Sequence, residues 1–186
     1  GGNPAQQKVL PESELVLENE FLKVTVDPKS SSVSSIYSKA INREIVRQDS
    51  VVGFNAYIYD EYASAGGFNH QSGRMEGNPA LDLLATRSLT RPGVVIDSGV
   101  NAVKQWVTIE SQAPGSSWIR TTYSLNKNAD RLDINNRIYK EATMTKESGY
   151  FAFPFALEDP VTRVEISGGM SGSDLPLVPG SALHMR

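Results

Sequence analysis

Few residues in this 186-residue chain are equipped for chemistry: it has two histidines, His70 and His184, and no cysteine. Nucleophilic catalysis needs a base within reach of a hydroxyl or thiol, and no Gly-x-Ser-x-Gly elbow accompanies the serines. The residues around His70 lack the ligand spacing of a zinc site, so His70 reads as an ordinary surface histidine and no metal ligand is assigned. Gly168-Gly-Met-Ser-Gly172 follows a strand pattern, but Pro176 and Pro179 come next where a phosphate loop needs a helix. It reads as a turn. Carboxylates remain, because glycoside hydrolysis uses a pair of them. Asp60, Glu61 and Glu147 are the acids to weigh; each reads as a solvated or hydrogen-bonded surface acid, and no catalytic residue is assigned. Aromatic rings stack on sugar faces, which makes Trp106, Trp118, Tyr59 and Tyr62 the candidate carbohydrate-contacting residues.

The elements that must position these groups read as strands. Leu15–Leu17 and Phe21–Val26 are extended, with Leu22, Val24 and Val26 sharing a face. Asp27-Pro28 opens a Ser/Lys-rich turn, and Val33–Tyr37 returns from it. Phe54–Tyr59 is a further strand, and Asp60–Pro79 reads as a long polar loop, expected to be mobile. In the run Ala102–Glu110, which follows a strand at Val94–Ile96, Val103, Val107 and Ile109 oppose Lys104, Trp106 and Thr108. The clearest hairpin joins Trp118–Leu125 to Arg131–Tyr139 through Asn126–Asp130. Alternation puts Trp106 and Trp118 on the polar faces of their strands and predicts partial exposure for both. Val161–Ile166 is the last strand, and only Leu81–Arg87 and Ala142–Glu147 are helix candidates. Many strands without crossover helices predict an all-β fold, an antiparallel β-sandwich.

Gly149–Leu157, "GYFAFPFAL", holds three of the six phenylalanines. Phe151, Phe153 and Phe155 recur with a period of two, which predicts three rings on one buried face, Phe153 among them. Pro154 cannot donate to a ladder and points to an edge or a bulge.

Composition narrows the class. With 39% hydrophobic residues and 21% charged, the chain is long enough for one domain with a full core. A net charge of −3 gives no basic excess for a phosphate backbone, so no nucleic-acid partner is expected. No apolar run approaches the roughly 20 residues of a spanning helix, and no membrane partner is expected. Lack of cysteine does not identify the compartment. Residues 1–13 are expected to be a linker or remnant outside the fold, with the domain over 14–186 a piece of a longer protein cut short at its C-terminal end.

Several blocks, in order, resemble the β-sandwich region that follows the catalytic barrel in family 38 glycoside hydrolases, the α-mannosidases, of bacterial type. Leu17–Val46 is similar to the family's opening hairpin, in which an Asn-Glu-aromatic strand passes through an Asp-Pro-Lys turn and ends on a basic-acidic pair. "GFNAYIYDE" (Gly53–Glu61), "RLDINNRIYK" (Arg131–Lys140), "KESGYFAFPFAL" (Lys146–Leu157) and "LPLVPGSALH" (Leu175–His184) resemble its later segments. Ser31 stands where many members have a turn glycine. The resemblance implies a galactose-mutarotase-like supersandwich, a fragment of a larger chain whose partner is the catalytic domain of that same parent chain. It implies an accessory role beside that domain, with carbohydrate as a candidate ligand. It places retaining α-mannoside hydrolysis and a zinc ion on the parent's catalytic domain and no cofactor in this fragment. None of the barrel's motifs occurs here, so the fragment alone is expected to be inactive. The alternatives are a self-contained carbohydrate-binding module and a mutarotase-like epimerase, the latter opposed by the scarcity of histidine.

Overall fold

Period-two alternation builds both layers of the molecule. The computed structural model describes residues 15–62, 85–166 and 169–172. β1 (Leu15–Glu18), β2 (Leu22–Asp27), β3 (Ser32–Ser38) and β4 (Arg43–Glu44) form an antiparallel sheet in chain order. Leu15, Leu17, Leu22, Val24, Val26, Val33 and Ile36 all turn inward and are buried. A third sheet, in the order β11-β5-β6, uses β5 (Ala56–Tyr62), β6 (Ala85–Leu89) and β11 (Lys146–Ala152). β7 (Val94–Val100), β8 (Lys104–Ala113), β9 (Ser116–Asn126) and β10 (Leu132–Lys140) make the facing sheet, again antiparallel. Its inward Val107, Ile109, Tyr123 and Leu125 meet the apolar face of the first sheet, and this contact is the main core. β12 (Arg163–Ile166) and β13 (Gly169–Gly172) pair as a separate hairpin. Among the described residues there is no helix, so the fold is an all-β antiparallel sandwich, as the sequence predicts.

The first and third sheets are stitched edge to edge. Val33 and Phe54 exchange backbone hydrogen bonds of 2.8 and 3.0 Å, and the Asn55 amide donates to the Ala152 carbonyl at 2.6 Å. Further along, the Arg47 amide donates to Pro154 O and the Ala156 amide to Ile45 O, each at 2.8 Å. Tyr57 and Tyr59 of β5 pack with Ala113 and Ile119 of the facing sheet in a second, smaller core.

A polar network crosses between the layers. The Asn55 and Asn136 side chains form a reciprocal amide pair, with N···O distances of 3.0 and 2.8 Å. Asn55 also donates to the Tyr123 hydroxyl at 3.1 Å, Thr121 donates to Asn136 Oδ1 at 2.9 Å, and Tyr123 in turn donates to the Ser31 carbonyl at 3.1 Å. Asn55 sits at φ 65° and Ser31 at φ 52°, left-handed conformations that asparagine tolerates better than serine.

The structure corrects several expectations. Asp60, Glu61 and Tyr62 belong to β5 and not to a loop; 63–79 lies outside the described residues. Ala85–Arg87, in the stretch with a helical pattern, lies in strand β6, and Lys146 and Glu147, at the end of the other helix candidate, open β11. Gly169–Gly172 is a strand, not a turn. The expected linker and the C-terminal end lie outside the described residues. Val103 is exposed, away from Val107 and Ile109.

The largest change concerns the phenylalanines. Phe153 and Phe155 are 47% and 46% exposed, and Phe151 is half-buried. The alternation holds: both rings stand edge-on to buried Phe54, at centroid distances of 5.1 and 5.0 Å. They clasp Phe54 from outside the sandwich, however, because β11 ends at Ala152 and the chain continues at the sheet's margin. Phe153→Ala is therefore expected to cost only about 1–2 kcal/mol, well below a full core truncation. Asn55→Ala, which leaves Asn136 and Tyr123 short of partners and puts a Cβ-bearing residue without a side-chain amide at positive φ, should cost roughly 3 kcal/mol. Urea denaturation of both variants checks the order: a larger loss for Phe153→Ala than for Asn55→Ala would overturn this ranking.

Candidate functional site

The pleat sets Asp60 apart from the other two acids weighed for catalysis, Glu61 and Glu147, which share one face. Across β5 and β11, Asp60 is the partner of Ser148 and Glu61 the partner of Glu147. Asp60 and Glu147 therefore point to opposite sides of one sheet and cannot flank a common bond. Each is also held by a cation. Arg87 donates from Nε and Nη2 to the two Asp60 carboxylate oxygens at 2.8 and 2.7 Å, and this ion pair holds Asp60 below the usual carboxylate range despite its burial. Glu147 receives the Tyr59 hydroxyl at 2.6 Å and Lys140 Nζ at 2.6 Å. Burial opposes its ionisation, but the hydrogen bonds from Lys140 and Tyr59 outweigh burial and keep Glu147 below the usual range. A general acid in glycoside hydrolysis needs the reverse, a raised pKa. These acids are clamps.

Gly115 shows how tightly the Glu147 clamp is packed. A Cβ there would lie 3.0 Å from Glu147 Oε2 and 3.1 Å from the Tyr59 ring, and its φ of 69° is left-handed. Tyr59, a candidate sugar platform in the sequence, is buried in this corner, with its hydroxyl pushed far up by the bond to Glu147 and by burial. Its ring offers no open face.

The other aromatic candidates lie at the surface. Trp106 and Trp118 are half-buried on the outer face of the β7–β10 sheet, as their alternation predicts. Trp106 is opposite Ser124, six residues along β9 from Trp118, so the indoles stand roughly 20 Å apart at a strand rise of about 3.3 Å per residue. Between them run the Thr108–Thr122 hydroxyl pair, 2.9 Å apart, and the Arg120–Glu110 ion pair at 2.6 Å. Trp106 Nε1 donates to Asp97 at 2.8 Å, which fixes the ring. Arg120 stacks 4.5 Å from the Trp118 centroid, with Tyr139 alongside at 5.7 Å. Tyr62 is half-buried on the outer face of the third sheet, its hydroxyl 3.5 Å from that of Tyr150. The structure thus splits the four candidates into one buried ring, a pair on one face and a single tyrosine on another. Sequence reasoning missed Arg87, Lys140 and Tyr150. Nothing local signals them: Arg87 and Tyr150 meet their partners through strand pairing, and Lys140 meets Glu147 across two different sheets.

Both histidines lie outside the described residues. Among the described residues no three His, Cys, Asp or Glu side chains converge, so these residues do not fit a zinc site. Because Glu147 is depressed when folded, its contribution is full above the unfolded value near 4.5 and is lost as pH falls through the lower folded value. Glu147→Gln should accordingly lose roughly 1 kcal/mol at pH 7, and the deficit should vanish in acid. Thermal unfolding across pH 2–7 tests this; a deficit constant with pH would show that the charge contributes nothing.

Comparison with curated proteins finds no match. The sequence does match the family described as "Glycosyl hydrolases family 38 C-terminal domain" over residues 17–172. That stretch runs from β1 to the end of β13 and contains both sandwich layers, the polar network and the two clamps. The description as a C-terminal domain implies a larger parent chain with a catalytic domain. The chain belongs to the C-terminal domain family of the family 38 glycosyl hydrolases.

Proposed function

We propose that this domain is the accessory sandwich of an α-mannosidase-type hydrolase, supporting the parent's catalytic domain and contributing carbohydrate contacts from its outer sheet face. The observation that carries the reading is the family match over 17–172, joined to carboxylates already held in ion pairs by the chain's own cations. Trp106 and Trp118 supply the contact surface: two rings about 20 Å apart, with hydroxyl and charged side chains between them, suit an extended glycan more than a single sugar. Hydrolysis and any zinc belong, on this reading, to the catalytic domain and not to this chain.

The chain by itself is expected to turn over no aryl α-mannoside and to bind no zinc stoichiometrically. It should bind manno-oligosaccharides weakly, with Trp106→Ala or Trp118→Ala lowering affinity about tenfold, the equivalent of ~1.4 kcal/mol. Calorimetry, an activity assay and metal analysis on the purified chain test all three points. Turnover that disappears in Asp60→Asn or Glu147→Gln would sink the accessory reading. Tight glycan binding by the chain alone would instead favour a self-contained carbohydrate-binding module.

A further inference from the structure

The outer face of the third sheet carries a polar cluster that the core does not require. Arg87, Asp60 and Ser148 are direct cross-strand partners on β6, β5 and β11, so their side chains form one row. Tyr62 and Tyr150 reach across this row from opposite ends, and the Ser148 hydroxyl lies beside both phenols. Beneath them the Asp60 side chain is only 5% exposed although it sits on an outer face, whereas Arg87 above it is 63% exposed. Burying a carboxylate is costly, and an ordinary surface ion pair returns little. What the arrangement does achieve is a fixed guanidinium. Asp60 takes two of its five N–H donors, and the others belong to a side chain that is largely exposed and close enough to both phenols to feel them electrostatically.

The chemistry of these donors narrows the ligand. Arg87 is already neutralised by Asp60, so the pair offers an anion little net charge. Its planar donors suit two neighbouring oxygen acceptors, such as adjacent hydroxyls of a pyranose. Tyr150, 46% exposed, adds a ring on which the C–H face of a sugar can rest, and Ser148 and the phenols can both donate and accept. We infer that Arg87, backed by Asp60 and flanked by Tyr62 and Tyr150, forms a subsite for a neutral hexopyranose. It rests on the carbohydrate reading above but lies on a different sheet from Trp106 and Trp118.

The test is a ¹⁵N–¹H titration of the whole chain with methyl α-mannopyranoside, methyl α-glucopyranoside and glucuronate as probes. Saturable shifts are expected at Arg87 Nε–H and at the Ser148 and Tyr150 amides with a neutral pyranoside. Arg87→Lys, which keeps the charge but loses the fork, should weaken them at least fivefold, and Tyr150→Ala should do likewise; the dispersion of each spectrum shows that the fold is intact. The wild-type shift map decides the site even if a variant fails to fold. Shifts confined to the Trp106 and Trp118 indoles would overturn this subsite and leave the broader carbohydrate reading standing. No shift anywhere at saturating sugar would overturn both. A tenfold preference for glucuronate would overturn the neutral-sugar assignment.

Discussion

The reciprocal amide pair of Asn55 and Asn136 is the constraint on which the two layers depend. Apolar contacts between sheets are nondirectional and would tolerate sliding; paired amides do not. The chain has no cysteine, so no disulfide can fix the layers instead. Tyr123 extends the network to the Ser31 carbonyl, and burial raises its phenol far above the ordinary range, so the hydroxyl stays neutral and keeps its donor. Two backbone positions in the left-handed region belong to this network, Asn55 at its centre and Ser31 at one end. The hydrogen bonds of a buried network are strong enough to hold such conformations, and losing one partner leaves others unsatisfied.

Similar polar staples explain the motifs that carry the family resemblance. Asn19 of the Asn-Glu-aromatic block accepts the Phe21 and Leu22 amides and donates to the Asn126 and Ala129 carbonyls, at 2.7–2.8 Å. It ties the β1–β2 turn to the β9–β10 loop and so joins the two layers at one end. Glu44, the acid of the basic-acidic pair, accepts the Ile36, Ile45 and Val46 amides and the Ser35 hydroxyl. Burial works against its charge, yet these four donors hold it below the usual carboxylate range. Neither residue is placed for catalysis. A motif that looks like a chemical signature in sequence is, in both cases, a satisfied set of backbone donors and acceptors.

What was legible in the sequence follows from the same physics. Leu22, Val24 and Val26, and Ile119, Tyr123 and Leu125, announce their buried faces because one side of each strand is apolar and the other is not. The same argument predicts the partial exposure of Trp106 and Trp118. Phe153 and Phe155 show its limit: alternation identifies which rings share a face, not how much of that face is covered. Leu81–Arg87 carries helical spacing in the sequence, yet Ala85–Arg87, its part within the described residues, takes its conformation from pairing with β5, a tertiary effect that overrides a local pattern. Arg87 and Asp60 stand 27 positions apart, and only that pairing makes them partners.

The pleat also separates what stabilises this domain from what it shows to others. Along β8, Val107 and Ile109 enter the core, while Trp106 and Thr108 face out; on β5, Tyr57 and Tyr59 are internal, while Tyr62 lies on the opposite face. Adjacent residues therefore answer to different demands, and the outer set can change its chemistry without disturbing the inner one. Acids obey the same division. Glu44 and Glu147 are bound by internal donors and hold the fold together. Among the acids of the described residues, Asp60 is the one that reaches an outer face while remaining buried, with an exposed cation above it. A carboxylate in that position stabilises no core; its structural consequence is the orientation of Arg87. That asymmetry distinguishes the outer face of the third sheet, where an exposed guanidinium stands on a buried carboxylate, from the Glu147 clamp, whose carboxylate ties Tyr59 to Lys140.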